Sequence, residues 1–456
     1  MALAACVGGE HAPRKARAEA DQEHYRGKPE GGEPEEGELK RGSGISQVGL
    51  VVPGGRAQPS SSAPGVEAER LWSVYDDWEP VVAADRNSDW VYQMTTRLDG
   101  PTRAWVVFRA SSDGGESYEP DQIIARSARQ QYDPQVTVAE DGSVLVCWLE
   151  VPRWETMFAR SADHGRTWTT PIPIETSLAW TDHPWITSSP DGRDVYIAFN
   201  KTDSWVASSH DGGATFLPPV RTHATGRTWY HTGGVVTPDG AVYFAGAEYH
   251  ERYDGPARVN VLRSTDRGAS FTKIFLDRSV APPPCDDVPG CYWGFIGPGT
   301  GVAADALGSL MVVYNAGRTF KKAQQIYVRT SDDGVTWNEP VQVSDATQDS
   351  DCAFPVVAAG AFPGEFHVVW QGDRDGDMHH WNTWTRRTRD GGLSWEPIVP
   401  LSTRGTGADY QSPKGYAFPY GDYMNASVDG RGRLHAIWGA GRSYDGPGGT
   451  WYTRAK

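Results

Sequence analysis

The sequence predicts an all-β fold assembled from repeated units, and two observations carry this prediction. Short runs rich in Val, Trp and Tyr, separated by Gly-rich turns, recur along the chain and are typical of antiparallel strands. The phrase Ser/Thr-x-Asp-x-Gly-x-Ser/Thr-aromatic occurs six times in 456 residues, with its aspartates 48 to 66 residues apart. A period of this size indicates a repeat architecture. The copies are Ser111 to Tyr118, Ser161 to Trp168, Ser209 to Phe216, Ser264 to Phe271, Thr330 to Trp337 and Thr388 to Trp395.

Each copy of the motif contains the residues that a tight turn needs. An Asp side chain bonds nearby backbone N–H groups, Gly adopts a left-handed conformation, and the aromatic packs beneath the hairpin. We therefore expect the motif to stabilise the scaffold rather than to carry chemistry. The aspartates predicted in this role are Asp113, Asp163, Asp211, Asp266, Asp332 and Asp390.

The motif resembles the Asp-box, the bacterial neuraminidase repeat of sialidases and their β-propeller relatives. The resemblance covers about residues 71 to 456. It implies a β-propeller in which the motif turns lie on the face away from the usual active site. Most characterised sialidases have six blades.

The paired apolar segments predict seven blades rather than six, each a four-stranded antiparallel sheet. Because the chain ends just after a strand at Thr450 to Thr453, the seventh blade lacks its outer strand. An N-terminal strand is expected to close the ring and remove the exposed edge. We favour Leu71 to Tyr75 as that strand, with Ile45 to Val52 as the alternative. The first strands are predicted to begin near Glu79, Pro134, Pro184, His231, Pro298, Ala353 and Asp422.

Residues 1–70 differ in composition from residues 71–456, which we assign to the propeller. The first 70 contain no Trp and no Phe, so they cannot bury enough apolar surface to offset the entropy of ordering. We predict a disordered tether in which residues 45–53 are a possible strand. The net charge of −15 argues against nucleic acid or an anionic membrane as a partner.

Three cysteines bear on location. Leu3-Ala4-Ala5-Cys6 resembles the lipobox of bacterial lipoproteins, which predicts export and lipidation at Cys6; a chance match is the alternative. The spacing of Cys285 and Cys291 suits a local disulfide in an exported protein. We expect a monomer that contacts a membrane only through such an anchor.

A ligand site is expected on the face opposite the motif turns, where the first strands begin. The strand starts supply acids and aromatics, and the loops after the second strands supply one basic residue per blade. Such a surface suits an acidic or polyhydroxylated ligand, although each Arg could instead pair with a neighbouring blade. The candidate ligand-binding residues are Arg318, Arg374, Arg442, His183, Tyr292 and Asp351.

The sialidase resemblance implies three arginines that clamp a carboxylate, a Tyr nucleophile with a Glu relay, and an Asp acid/base. We carry these roles to Arg318, Arg374 and Arg442, to Tyr423 and Glu248, and to Asp182 or Asp133. The Phe/Tyr-Arg-Ile-Pro motif of the family is absent. Two hypotheses stay open: a glycosidase acting on terminal acidic sugars of glycans or polysaccharides, and a non-catalytic, surface-anchored carbohydrate- or protein-binding module.

No cofactor is expected. Alternating aspartates can ligate calcium, and Asp373, Asp375 and Asp377 show that spacing, but a solvated loop is the favoured interpretation.

Overall fold

A computed structural model describes most of the chain beyond residue 62. The described residues are 63–73, 75–99, 103–175, 181–201, 203–222, 227–249, 256–280, 298–319, 323–345, 352–373, 381–402, 411–412, 415–416, 424–441 and 448–456. They contain seven four-stranded antiparallel sheets and one two-stranded hairpin. This confirms the predicted seven-bladed β-propeller of four-stranded blades.

The two inner strands of each blade lie close to where the apolar segments predicted them. The first, innermost strands are Asp76–Ala84 (β2), Gln130–Val138 (β6), Asp182–Ser188 (β10), Thr228–Val236 (β14), Thr300–Ala304 (β18), Cys352–Ala359 (β22) and Met424–Val428 (β28). The second strands are Val91–Leu98 (β3), Val144–Val151 (β7), Val195–Lys201 (β11), Val242–Tyr249 (β15), Leu310–Ala316 (β19), Phe366–Asp373 (β23) and Leu434–Gly441 (β29).

The outer strands differ more between blades, and within the described ranges only blade four has a long fourth strand. The third strands are Ala104–Ser111 (β4), Glu155–Ser161 (β8), Asp203–Ser209 (β12), Ala257–Ser264 (β16), Gln325–Ser331 (β20), Trp381–Thr388 (β24) and Gly448–Ala455 (β30). The fourth are Gln122–Ile123 (β5), Ile172–Pro173 (β9), Val220–Arg221 (β13), Thr272–Ser279 (β17), Val341–Gln342 (β21), Val399–Pro400 (β25) and Arg70–Leu71 (β1). Gln411–Ser412 (β26) and Gly415–Tyr416 (β27) form the hairpin.

The hydrophobic core lies between neighbouring blades. Blade one packs Phe108 against Val146 and Trp148 of blade two, and the same pattern recurs around the ring. Second strands are covered on both faces, so β7 is buried at every position and its sequence is almost continuously apolar. The ring is therefore stabilised by contacts that no blade makes alone.

The ring closes through an N-terminal strand, as expected, but that strand is Arg70–Leu71 rather than Leu71 to Tyr75. Arg70 pairs with Tyr452 and Leu71 with Trp451 of β30, and Val66 bridges Ala455. Pairing ends at Leu71 because the chain then enters blade one, where Asp76 starts the innermost strand. The alternative donor, Ile45 to Val52, lies outside the described residues.

The repeated motif forms the predicted turn. Ser161 Oγ donates to Asp163 Oδ1 at 2.8 Å, and the Gly165 amide donates to Ser161 Oγ at 2.8 Å. Asp163 also accepts from the Thr167 amide at 2.8 Å and from its hydroxyl at 2.6 Å. These bonds lower the pKa of Asp163 to about 2. Gly165 has φ +87°, a value that favours glycine.

One predicted motif aspartate is wrong. In the fifth copy Asp333, not Asp332, accepts from Ser331 Oγ at 3.1 Å and from the Thr336 amide at 2.7 Å. This turn is one residue shorter, because the Gly334 amide bonds a serine three residues earlier rather than four. Asp332 instead accepts from Ser309 Oγ at 2.9 Å in the same blade. Spacing alone could not distinguish two adjacent aspartates.

No helix in the described part of the chain has the length and apolar character to cross a membrane.

Candidate functional site

The two ends of the propeller carry different turns, which we call the lower and upper faces. Motif turns bond the turns between first and second strands: Gly114 N donates to Asp89 O at 2.7 Å, and Gly212 N to Arg193 O at 2.8 Å. Both kinds of turn therefore lie on the lower face. The first strands begin on the upper face, at the opposite end.

On the upper face, four blades have a strained residue within the first four positions of their first strand. Glu79, Asp133, His183 and Phe354 have φ between 52° and 55°, and each is followed by proline. Positive φ is costly for residues with a Cβ, and proline pushes its predecessor towards extended conformations. A bulge in the pairing accompanies each one. Strain of this kind often marks functional positions.

Glu79 connects the central ends of blades one and two. Its Oε2 accepts from Thr96 Oγ1 at 2.5 Å and from the Asp133 amide at 2.8 Å. Burial raises the pKa of Glu79 above its ordinary 4.5, the two hydrogen bonds oppose this shift, and the negative charge of Asp182 adds to it. The structure thus brings the predicted acid/base candidates Asp133 and Asp182 close to Glu79, which the sequence analysis did not select as catalytic. The recurring residue-before-proline pattern is the signal that could have identified it.

His183, a predicted ligand-binding residue, is buried beside aromatic side chains. Its ring packs edge-on against Tyr230 at 5.2 Å between centroids, and Tyr230 packs edge-on against Tyr249 at 5.6 Å. Burial lowers the pKa of His183 to about 4, and hydrogen bonding to backbone groups of His183 and His231 only partly offsets this. The imidazole is therefore neutral at physiological pH.

Glu248, the predicted relay, lies in blade four and is enclosed by cations. Its carboxylate is fully buried, with Arg227 Nε at 3.2 Å, Lys273 Nζ at 3.2 Å and Arg258 Nη1 at 4.0 Å. Asn260 Nδ2 donates to it at 3.3 Å. One carboxylate cannot neutralise three cations, so the cluster keeps a positive excess among the described residues.

A fourth cation extends this cluster. Arg258 on β16 lies directly opposite Arg278 on β17, and the Arg278 side chain is exposed. Like charges facing each other across antiparallel strands are destabilising, so this pairing has no benefit for the fold alone. We call Arg227, Arg258, Lys273 and Arg278 the blade-four cations. The sequence analysis missed all four because no motif marks them.

Blade three turns polar groups towards blade four. Asn200 is opposite Asp182 on one side and Ser204 on the other. The Asn200 amide and Ser204 Oγ are buried, and among the described residues they have no hydrogen-bond partner. Buried polar groups are normally satisfied by other protein groups or by ordered water.

Arg318, a predicted clamp residue, joins blades four and five. Its guanidinium donates to both oxygens of Asp277, at 2.8 and 2.6 Å, and lies 4.1 Å from the centre of the Tyr327 ring. The Tyr314 hydroxyl donates to the same carboxylate. Burial acts to raise the pKa of Asp277, but the hydrogen bonds from Arg318, Tyr314 and the Arg278 amide together outweigh it and hold the pKa below its ordinary value.

The corresponding arginine of blade one is also in ion pairs. Arg97 Nε is 2.7 Å from Asp77 Oδ1, and its Nη2 is 2.8 Å from Asp121 Oδ2. Interblade or intrablade pairing therefore accounts for two of the arginines that the sequence placed on this face.

Several predicted residues lie outside the described residues: Cys6, Cys285, Cys291, Tyr292, Asp351, Arg374, Asp375, Asp377, Tyr423 and Arg442. Asp373 ends β23, but its side chain is not described. Within the described ranges, no group of three or more His, Cys, Asp or Glu side chains is arranged to hold a metal ion.

Comparison with known proteins supports the class of fold. No protein-family model matches the chain, and a search of curated proteins found no match. The chain is similar to a polysaccharide lyase, an ulvan lyase, with a TM-score of 0.51 and 11% identity over 82% of this chain and 94% of that one. It is also similar to a protein of unknown function from Dyadobacter fermentans (TM-score 0.49, 13% identity, 86% and 99% covered). A sialidase from Streptococcus pneumoniae gives 0.44 and 10%, with 90% and 72% covered. At these identities the similarity concerns the fold alone.

Proposed function

We propose that the upper face, at blades three and four, binds an acidic carbohydrate. The observation that carries this proposal is the group of blade-four cations around the single carboxylate of Glu248. In a chain of net charge −15, a positive excess among the described residues of blade four favours an anionic group over a neutral one. Guanidinium groups bind carboxylate or sulfate oxygens through charge-assisted hydrogen bonds.

The carbohydrate part of the proposal has two supports. Tyr230 is half-buried on the upper face beside His183, and aromatic faces of this kind stack on sugar rings. The repeated motif resembles that of sialidases and related propellers. The buried amide of Asn200 adds a donor and an acceptor that sugar hydroxyls or water could satisfy.

Hydrolysis is a second candidate function, favoured by Glu79. A carboxyl group whose pKa is raised by burial can act as a general acid, with Asp133 or Asp182 as the second carboxylate. An alternative catalytic set has Tyr423 as the nucleophile, with the substrate carboxylate clamped by Arg318, Arg374 and Arg442. Tyr423→Phe would then abolish turnover but leave binding intact.

The decisive experiment is a glycan array measured beside a panel of aryl-glycosides. The two variants are assayed separately. If turnover is lost in only one of Glu79→Gln and Tyr423→Phe, the residue changed in that variant is the catalytic group. Binding of glycans without turnover by the wild type would support a binding module. The double variant Arg258→Ala/Arg278→Ala is expected to bind acidic glycans tenfold or more weakly than the wild type, since a charged hydrogen bond contributes about 1.5–3 kcal/mol. The affinity for neutral glycans should be unchanged. Arg166→Ala, an exposed arginine in a lower-face motif turn, is the matched control; equal affinity of all three proteins for every acidic ligand would contradict the proposal.

Export and anchoring through Cys6 belong to the same proposal, because extracellular polysaccharides are met outside the cell. Mass spectrometry of the native protein that finds an unmodified Met1 would contradict the anchor.

A further inference from the structure

Four large apolar side chains are exposed on the lower face of blades five and six. Leu307 is 77% exposed and Phe362 67%, each in a turn between a first and a second strand. Val335 is 56% exposed and Leu393 89%, each in a motif turn of the same two blades. We call these four residues the lower apolar patch. Exposed apolar groups that lie together mark an interaction surface more often than isolated ones do.

Hydrogen bonds show that the four turns are neighbours. Asp305 accepts from the Leu307 amide at 2.9 Å and, through its other oxygen, from the Gly364 amide at 2.7 Å. The carbonyl of Gly364 in turn accepts from the Gly391 amide at 2.8 Å. Ser309 Oγ reaches Asp332 in the Val335 turn at 2.9 Å. One hydrogen-bonded network therefore holds the four turns that carry these exposed side chains next to each other on the lower face.

The other blades do not place large apolar residues at these positions. Leu307 precedes the turn glycine where blades two, three and four have aspartate: Asp141, Asp191 and Asp239. The motif position of Val335 and Leu393 is occupied elsewhere by Glu116, Arg166, Ala214 and Ala269. The turn geometry itself therefore does not require Leu or Val, and the apolar character is particular to blades five and six.

The N-terminal part of the chain reaches the propeller beside this patch. Val66 bridges Ala455, which is opposite Leu434, the first residue after the lower-face turn of blade seven. Ala63 packs against the core between blades six and seven, together with Val356 and Val428. Residue 63 therefore lies at the lower face, next to blade six.

We propose that residues 45–53 of the same chain dock on the lower apolar patch. The segment has five aliphatic residues and no charge between residues 42 and 55. The ten residues from 53 to 63 span up to about 35 Å when extended. Packed sheets are about 10 Å apart, so blades five and six are within reach. Docking would cover apolar groups on both partners.

Hydrogen exchange of the full-length protein, followed by mass spectrometry, tests this docking. In the wild type, peptides covering residues 45–53 are expected to exchange at least tenfold more slowly than in a Leu307→Ser/Leu393→Ser variant. Leu217→Ser, which changes a leucine 54% exposed in blade three, is the matched control and should keep the protection. Melting temperatures establish that each variant is folded.

A second variant separates docking from misfolding. Leu50→Asp alters only the segment, so the propeller should stay intact. In this variant, peptides covering residues 304–309 and 361–365 are expected to exchange faster than in the wild type. The variant protein is also expected to bind more of an apolar dye. Equal exchange of 45–53 in the wild type and the patch variant would overturn the proposal. The proposal would also be overturned if Leu307 and Leu393 were required for dimer formation or for binding to lipid vesicles while residues 45–53 stayed unprotected. The lower apolar patch would then have a different occupant.

Discussion

The carboxylate of Glu79 accepts a hydrogen bond from the backbone N–H of Asp133 at 2.8 Å, so a side chain of blade one holds the backbone of blade two. His183 makes a related contact from blade three to the backbone of His231 in blade four. Two of the strained residues before proline, Glu79 and His183, thus link successive blades around the axis. Their conformation also fixes the acids and the histidine that the proposed function uses.

Replacing Glu79 by Ala is expected to lower the free energy of unfolding by about 1–3 kcal/mol, because the buried Asp133 amide loses its acceptor. Glu79→Gln keeps an amide oxygen at the same position and should cost less than half as much. Urea denaturation measures both. If the two variants are equally destabilised, the hydrogen bond to Asp133 is not the source of the stability.

Asp333→Ala is expected to lower the melting temperature more than Asp332→Ala, because Asp333 accepts the backbone amides of Val335 and Thr336, and Asp332 one serine hydroxyl. Differential scanning calorimetry compares the two. The adjacent substitution is its own control for loss of negative charge. The opposite order would restore the assignment that the motif spacing predicts.

Acid should destabilise the protein in part through His183. Its folded-state pKa of about 4 lies below the ordinary 6.5, so the unfolded chain binds the proton first as pH falls. This contribution is fully present above pH 6.5 and is lost between 6.5 and 4, by about 3 kcal/mol. Urea midpoints from pH 8 to 4 should fall less steeply in His183→Gln. His367, with a pKa lowered to about 3 by burial, contributes equally to both proteins; parallel curves would argue against a neutral, buried His183.

Deleting residues 1–62 is expected to leave a folded monomer, since every described strand is retained. Deleting residues 1–76 also removes β1 and the buried Trp72, which leaves β30 as an open edge that promotes aggregation. Sedimentation velocity distinguishes a monomer from aggregates in the two deletion variants. A well-behaved monomer from the longer deletion would show that the ring does not depend on Arg70–Leu71.

The number of blades could be predicted because each blade has strands that are recognisable from consecutive residues of the sequence. Each first and second strand is a short apolar run, and β7 and β15 are recognisable from their own residues. The residues of the candidate site were harder to predict from the sequence. Asp133 and Asp182 were identified by their place at the strand starts, whereas Arg227, Arg258, Lys273 and Arg278 come from three different parts of blade four and share no motif.

The sequence by itself determined the all-β class, the seven repeats and the turn chemistry, because short apolar runs and Asp–Gly turns depend on neighbouring residues. Only the tertiary structure decided which of Asp332 and Asp333 closes its turn, that Arg318 is bound to Asp277, and that Glu248 lies among cations. Those outcomes depend on which blades face each other and on how charges compensate across tens of residues. Such distances in space have no counterpart in the spacing of residues along the chain.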